Sequence, residues 1–76
     1  MSWKPANEPP RLEPTEPGVE PVGQVEVDAK GTLVDGRPYA GKSIYHKARL
    51  PAKCWWEGPL LGSITHWKNP RVLWQA

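Results

Sequence analysis

The stretch Gln24-Val25-Glu26-Val27-Asp28, followed by Lys30-Gly31, Thr32-Leu33-Val34 and Asp35-Gly36, sets the structural class of this chain. Val25 and Val27 alternate with Gln24, Glu26 and Asp28, a period of two that puts the apolar side chains on one face of a half-buried strand. Lys30-Gly31 reads as a turn, and Thr32 to Val34 as a second short β-prone run. Asp35-Gly36 then closes a hairpin, because both residues accept the positive φ of a tight reverse turn.

Working outward towards the C-terminus, Gly41-Lys42 leads into a third candidate strand, Ser43 to Ala48. Ile44, Lys47 and Ala48 would also suit two turns of helix, so this segment carries the main ambiguity. Pro51, Gly58-Pro59, Gly62 and Asn69-Pro70 divide the remainder into short runs at Lys53 to Trp56, Ser63 to Lys68 and Arg71 to Gln75. No stretch supports a long helix. The expected fold is all-β, a small meander or incomplete barrel of four to six short strands preceded by an extended proline-rich arm.

Working outward the other way, six prolines fall between Pro5 and Pro21, and Glu-Pro recurs at Glu8-Pro9, Glu13-Pro14, Glu16-Pro17 and Glu20-Pro21. Each proline fixes its own φ, removes a donor and pushes the preceding residue towards extended geometry. Residues 1–23 are therefore expected as an acidic arm, polyproline-like or disordered until bound, and residues 24–76 as a small basic β domain. Trp3, Leu12, Val19 and Val22 punctuate the arm with apolar side chains that a purely solvating tail does not need. Pro14-Thr15-Glu16-Pro17 has PxxP spacing, a pattern that is weak unless basic specificity residues accompany it.

The charge is split along the same line. Met1 to Gly36 holds three Lys/Arg against seven Asp/Glu, a net of minus four, and Arg37 to Ala76 holds seven against one, a net of plus six. Four of the five tryptophans, Trp55, Trp56, Trp67 and Trp74, fall in the last 22 residues. Trp55 and Trp56 are adjacent, so on a strand they face opposite sides and at most one enters the same core.

A chain of 76 residues has room for one thin core. Cys54 is its only cysteine, which excludes an internal disulfide, and Cys54, His46 and His66 do not make up the four ligands of a structural zinc site. Stability is therefore expected from tryptophan burial, oligomerisation or a partner, and all three point to an interface. The N-terminus lacks a signal-peptide pattern and no apolar run approaches the ~20 residues of a membrane span, so a soluble chain without membrane partners is expected.

One formal motif is present: Gly36 to Ser43 satisfies GxxxxGK[ST], the phosphate-loop pattern. Pro38 removes a loop donor, Pro51 arrives too soon for the long helix that such a site needs, and the chain is too short for further parallel strands. Two ordinary glycine turns are the better reading. His46, His66 and Cys54 match no ligand spacing, and Glu57 is the only carboxylate in the basic half, so neither catalysis, a metal nor a cofactor is expected.

The expected role is a non-enzymatic structural or adaptor subunit of a larger assembly, a viral particle among the candidates. Its partners would be other protein subunits, in homo- or hetero-oligomers. Trp3, Leu12, Val19, Val22, Trp55, Trp56, Trp67 and Trp74 are its candidate protein contacts. The first alternative is a small domain that binds single-stranded nucleic acid, with Lys53, Lys68 and Arg71 as anion contacts beside the indoles. The second is an inhibitor docking on one host enzyme.

Overall fold

A computed structural model of the chain describes residues 2–57 and 62–76. It contains one open antiparallel sheet of five strands: β1 (Lys4–Pro5), β2 (Gly23–Leu33), β3 (Pro38–Lys47), β4 (Trp55–Glu57) and β5 (Gly62–Gln75). Their spatial order is β1-β5-β2-β3-β4, so β2, β3 and β4 form a meander and β5 returns to the free side of β2. A 3-10 turn, Pro51–Lys53, precedes β4. Ile44 to Lys47 belong to β3, which settles the strand-or-helix ambiguity of that segment.

The connectivity forces the sheet to coil. Glu57 lies level with Ile44 and Glu26, whereas Gly62 lies beside Leu33. In a flat sheet these two points would stand roughly 27 Å apart, given a rise of about 3.3 Å per residue and strands about 4.8 Å apart. Five residue steps reach at most about 18 Å. The sheet therefore curls towards a barrel and stops short of closing.

β2 is longer than its expected five residues, running through Lys30-Gly31 instead of turning there. The glycine serves a different need: a Cβ on Gly31 would run into the carbonyl oxygen of Ser63 on β5. The Asp35-Gly36 hairpin forms as expected, with Gly36 at φ 89° and the Leu33 and Arg37 backbones hydrogen-bonded across it.

Asn69-Pro70 likewise does not end a strand, and the two expected runs on either side are one β5. Glu26 pairs with Arg71 and Asp28 with Lys68, so Asn69 and Pro70 together oppose Val27. This is a bulge, with Asn69 at φ 54°, and a bulge spares Pro70 the ladder donor that it lacks. Further register shifts leave Thr65 and Leu73 unopposed, and each resets which side of the sheet the following β5 residues face. Lys53, expected at the start of a strand, instead closes the 3-10 turn, and Val34 sits exposed beyond the end of β2.

The alternation on β2 builds the core. Val25, Val27 and Ala29 are each 1% exposed, packed with Trp67 and Leu12, while Gln24, Glu26, Asp28 and Lys30 point to the other face. A sheet with one apolar face needs a second layer. Here the chain's own arm supplies it. β1 pairs with the edge of β5, Lys4 opposite Trp67. A turn closed by Glu8 N–H to the Pro5 carbonyl then reverses the chain across the core face, burying Pro10 and Leu12. The arm returns through Gly18 (φ 79°) and buried Pro21 to enter β2 at Gly23, where a Cβ would meet the Trp74 carbonyl.

Candidate protein-binding face

With the arm covering one side, the other side of the sheet lies open, and cross-strand pairing states what it carries. Directly paired residues face the same way, so Trp74, Gln24, His46 and Trp55 form one row across four strands. Arg71, Glu26, Ile44 and Glu57 form the next, then Lys68, Asp28 and Lys42, then His66, Lys30 and Ala40. Trp3, just outside β1, joins this face: the Lys30 and Lys68 ammonium groups stand 4.6 and 4.4 Å from its ring centroid.

Three half-exposed indoles therefore share one surface: Trp3 at 36%, Trp74 at 47% and Trp55 at 52%. Trp55 is held in place. Its ring stacks on His46, centroids 4.0 Å apart and planes within 5°, and His46 Nδ1 shares a hydrogen bond of 3.0 Å with Gln24 Nε2. Among the described residues His46 Nε2 is buried without a hydrogen-bond partner, with a Glu57 carboxylate oxygen 3.7 Å away.

Between the indoles runs a band of paired charges. Lys42 Nζ donates to Asp28 at 2.6 Å, Asn69 Nδ2 to the same carboxylate at 2.8 Å, and Arg71 reaches Glu26 at 3.1 Å. The Lys42 and Asn69 hydrogen bonds hold the Asp28 carboxyl below its ordinary value, and Asp28 in turn raises Lys42. All these groups are solvated, so the band orients the face more than it stabilises the fold.

The remaining candidate contacts lie elsewhere. Trp67 is core, 4% exposed, and its indole Nε1 donates to the Glu8 carbonyl at 3.0 Å. Trp56 packs its ring against Tyr45, centroids 4.8 Å apart at 57°, so the adjacent tryptophans do part to opposite faces. Leu12 is core rather than a free peg, because it fills the apolar face that the sheet alone leaves bare. Val19 is exposed on the arm, and Val22 is half-buried with its carbonyl accepting from Ala76 N–H at 2.9 Å. Among the candidate anion contacts Lys68 and Arg71 reach the open face, but Lys53 is in the exposed 3-10 turn.

Gln24 and Lys30 carry no candidate role in the sequence, His46 is weighed there only for metal binding or catalysis, and Lys42 only within the phosphate-loop pattern. The signal for their shared face is the polar even positions of β2 and their partners on β3, combined with a pairing register that sequence does not give.

The phosphate-loop pattern has no loop to occupy. From Pro38 onward it is strand β3, Lys42 is engaged by Asp28, and buried Ser43 donates to the Glu57 carbonyl. The Cys54 thiol contacts the Ala48 and Leu50 carbonyls at 3.5 and 3.6 Å and lies by Tyr45 on the core side, away from His46 and His66. Among the described residues, no group of three or more His, Cys, Asp or Glu converges as a metal site, and no helix is long and apolar enough to cross a membrane.

Comparison with known protein families, with curated proteins and with solved structures finds no match for this chain.

Proposed function

We propose that the chain is a non-enzymatic adaptor or structural subunit that docks other protein subunits on the open face of its sheet. The supporting observation is the placement of Trp3, Trp55 and Trp74. A chain with so thin a core leaves three large indoles half-exposed on one face, while its other face is already covered. Tryptophan anchors ringed by polar and charged groups are the composition of a protein hot spot.

Nucleic-acid binding is the second reading, favoured by the two lysines over Trp3. Against it, Glu26 and Asp28 lie in the middle of the face and engage Arg71 and Lys42, which a phosphate backbone would need free.

The test is site-specific photocrosslinking in the native host, with a photoreactive residue at position 55 or 74 and, as control, at Val34, which is 74% exposed on the hairpin tip. Protein adducts at 55 and 74 that are missing at 34 support the adaptor reading. Nucleic-acid adducts support the alternative, and yields equal to the control overturn both.

A further inference from the structure

The body holds its arm in a manner that repeats. Trp67 Nε1 donates to the carbonyl of Glu8, which precedes Pro9, and Gln75 Nε2 donates to the carbonyl of Glu13, which precedes Pro14. Both donors come from β5, and both acceptors are carbonyls of a Glu-Pro bond. Such a carbonyl belongs to a tertiary amide, an electron-rich acceptor on a segment that has few donors of its own. Between these contacts Pro10 and Leu12 are buried, Leu12 packing with Val25, Val27 and Trp67. An indole donor, an apolar seat and a second donor spaced along a proline-rich strand constitute a recognition site for a polyproline-type ligand.

The stretch joining this ligand to the body is weakly tied. Every residue from Glu13 to Glu20 is exposed. Among the described residues its hydrogen-bond ties to itself and to the strands are Gln75 to Glu13, a backbone bond of 3.3 Å from Val19 to Glu16, and a 3.4 Å contact of Lys47 with Glu20. The arm also arches over the sheet, leaving an open cleft bounded by Pro10, Leu12, Tyr45, Cys54 and Trp67.

From these observations we infer that the core-face groove is a peptide-binding site for the segment Glu8 to Pro14, and that it accepts this segment from a second copy of the chain as well as from its own. The second copy presents identical carbonyls, prolines and leucine, so the trans contacts equal the cis ones. The choice is set by effective concentration, and copies held side by side in an assembly exchange arms. This site lies on the face opposite Trp55 and Trp74 and does not depend on what binds them, whereas Trp3 belongs to the arm and travels with it.

The experiment titrates a labelled peptide spanning Asn7 to Val22 into the full-length chain carrying Leu12→Ala, whose own arm is weakened, and follows anisotropy. Saturable binding is expected. It should weaken about a hundredfold when the peptide carries Leu12→Ala, by the loss of a buried leucine, and about fivefold when the receptor also carries Trp67→Phe, by the loss of one hydrogen bond. Val34→Ala in the receptor, on the exposed hairpin tip, should leave the affinity unchanged, and because the titration contains only this chain and its own arm peptide, its failure is distinct from failure of the adaptor reading. If the Leu12→Ala chain is unfolded alone, the supporting result is recovery of its β-sheet circular dichroism with this peptide and not with a scrambled one. Leu12→Val provides a milder receptor. No binding to either receptor, or equal binding of the scrambled peptide, overturns the proposal.

Discussion

His46 lies flat against Trp55, ring centroids 4.0 Å apart and planes within 5°, while Gln24 holds its Nδ1 from the neighbouring strand. The stack fixes the direction of an indole that is half in solvent. Trp55→Ala should therefore cost little stability, about 1 kcal/mol for the aromatic pair, while removing an anchor of the proposed docking face. Urea melts beside crosslinking yields at position 74 check this, and a loss of several kcal/mol would make Trp55 a core residue instead.

Leu12 should behave in the opposite way. It is 6% exposed although it lies in the proline-rich arm. Leu12→Ala is expected to lower unfolding stability by about 2 to 3 kcal/mol, the lower part of the range for a buried leucine. A chain this small has little margin to absorb such a loss. Chemical denaturation measures it; a change under half a kcal/mol would mean that the arm does not pack.

Gly31 and Gly36 separate two uses of glycine. A Cβ at Gly31 would strike the Ser63 backbone, so Gly31→Ala must force β2 and β5 apart and should cost more than about 2 kcal/mol. Gly36 has open space but φ 89°, so Gly36→Ala should cost about 1 kcal/mol, from backbone strain alone. Parallel thermal melts rank the two.

Two titrations bracket the pH range. Burial, followed by the hydrogen bond to Cys54, pushes the Tyr45 hydroxyl from 10.0 up to about 12. A group raised on folding contributes stability that is whole below its unfolded value and is lost as the pH climbs through the folded one. Stability should fall between about pH 10 and 12, with late tyrosinate absorbance at 295 nm that Tyr45→Phe removes. Asp28 has the opposite sign. Its carboxyl is held below 3.8 by Lys42 and then Asn69, so its contribution is present above that value and lost as the pH falls through the lowered one. Asp28→Asn should flatten the acid limb of the stability curve.

Local chemistry made part of this fold readable and tertiary need decided the rest. Val25, Val27 and the Asp35-Gly36 turn act through their immediate neighbours, and an alternating strand and a hairpin follow from them without further context. Gly31 and Asn69-Pro70 carry the same letters as turns but sit where β2 and β5 approach closely or bulge, which only the partner strand determines. Leu12 illustrates the larger gap. Its neighbourhood reads as a solvated tail, and it is buried because a sheet far along the chain lacks a second layer. Of the candidate site, the parting of Trp55 from Trp56 was legible from strand geometry; the gathering of Trp3, Trp55 and Trp74 on one face required the register.

The contacts that close the core join residues 59 and 62 positions apart, Trp67 to Glu8 and Gln75 to Glu13. At typical synthesis rates the arm leaves the ribosome roughly 3 to 12 seconds before its seat exists. For that interval it must remain soluble and unpaired beside whatever else is in reach. Repeated Glu-Pro suits this delay, since proline cannot join a foreign β-ladder and like charges keep neighbouring nascent arms apart. The composition that looks like a tail is thus a condition for the leucine within it to arrive in the core unspent.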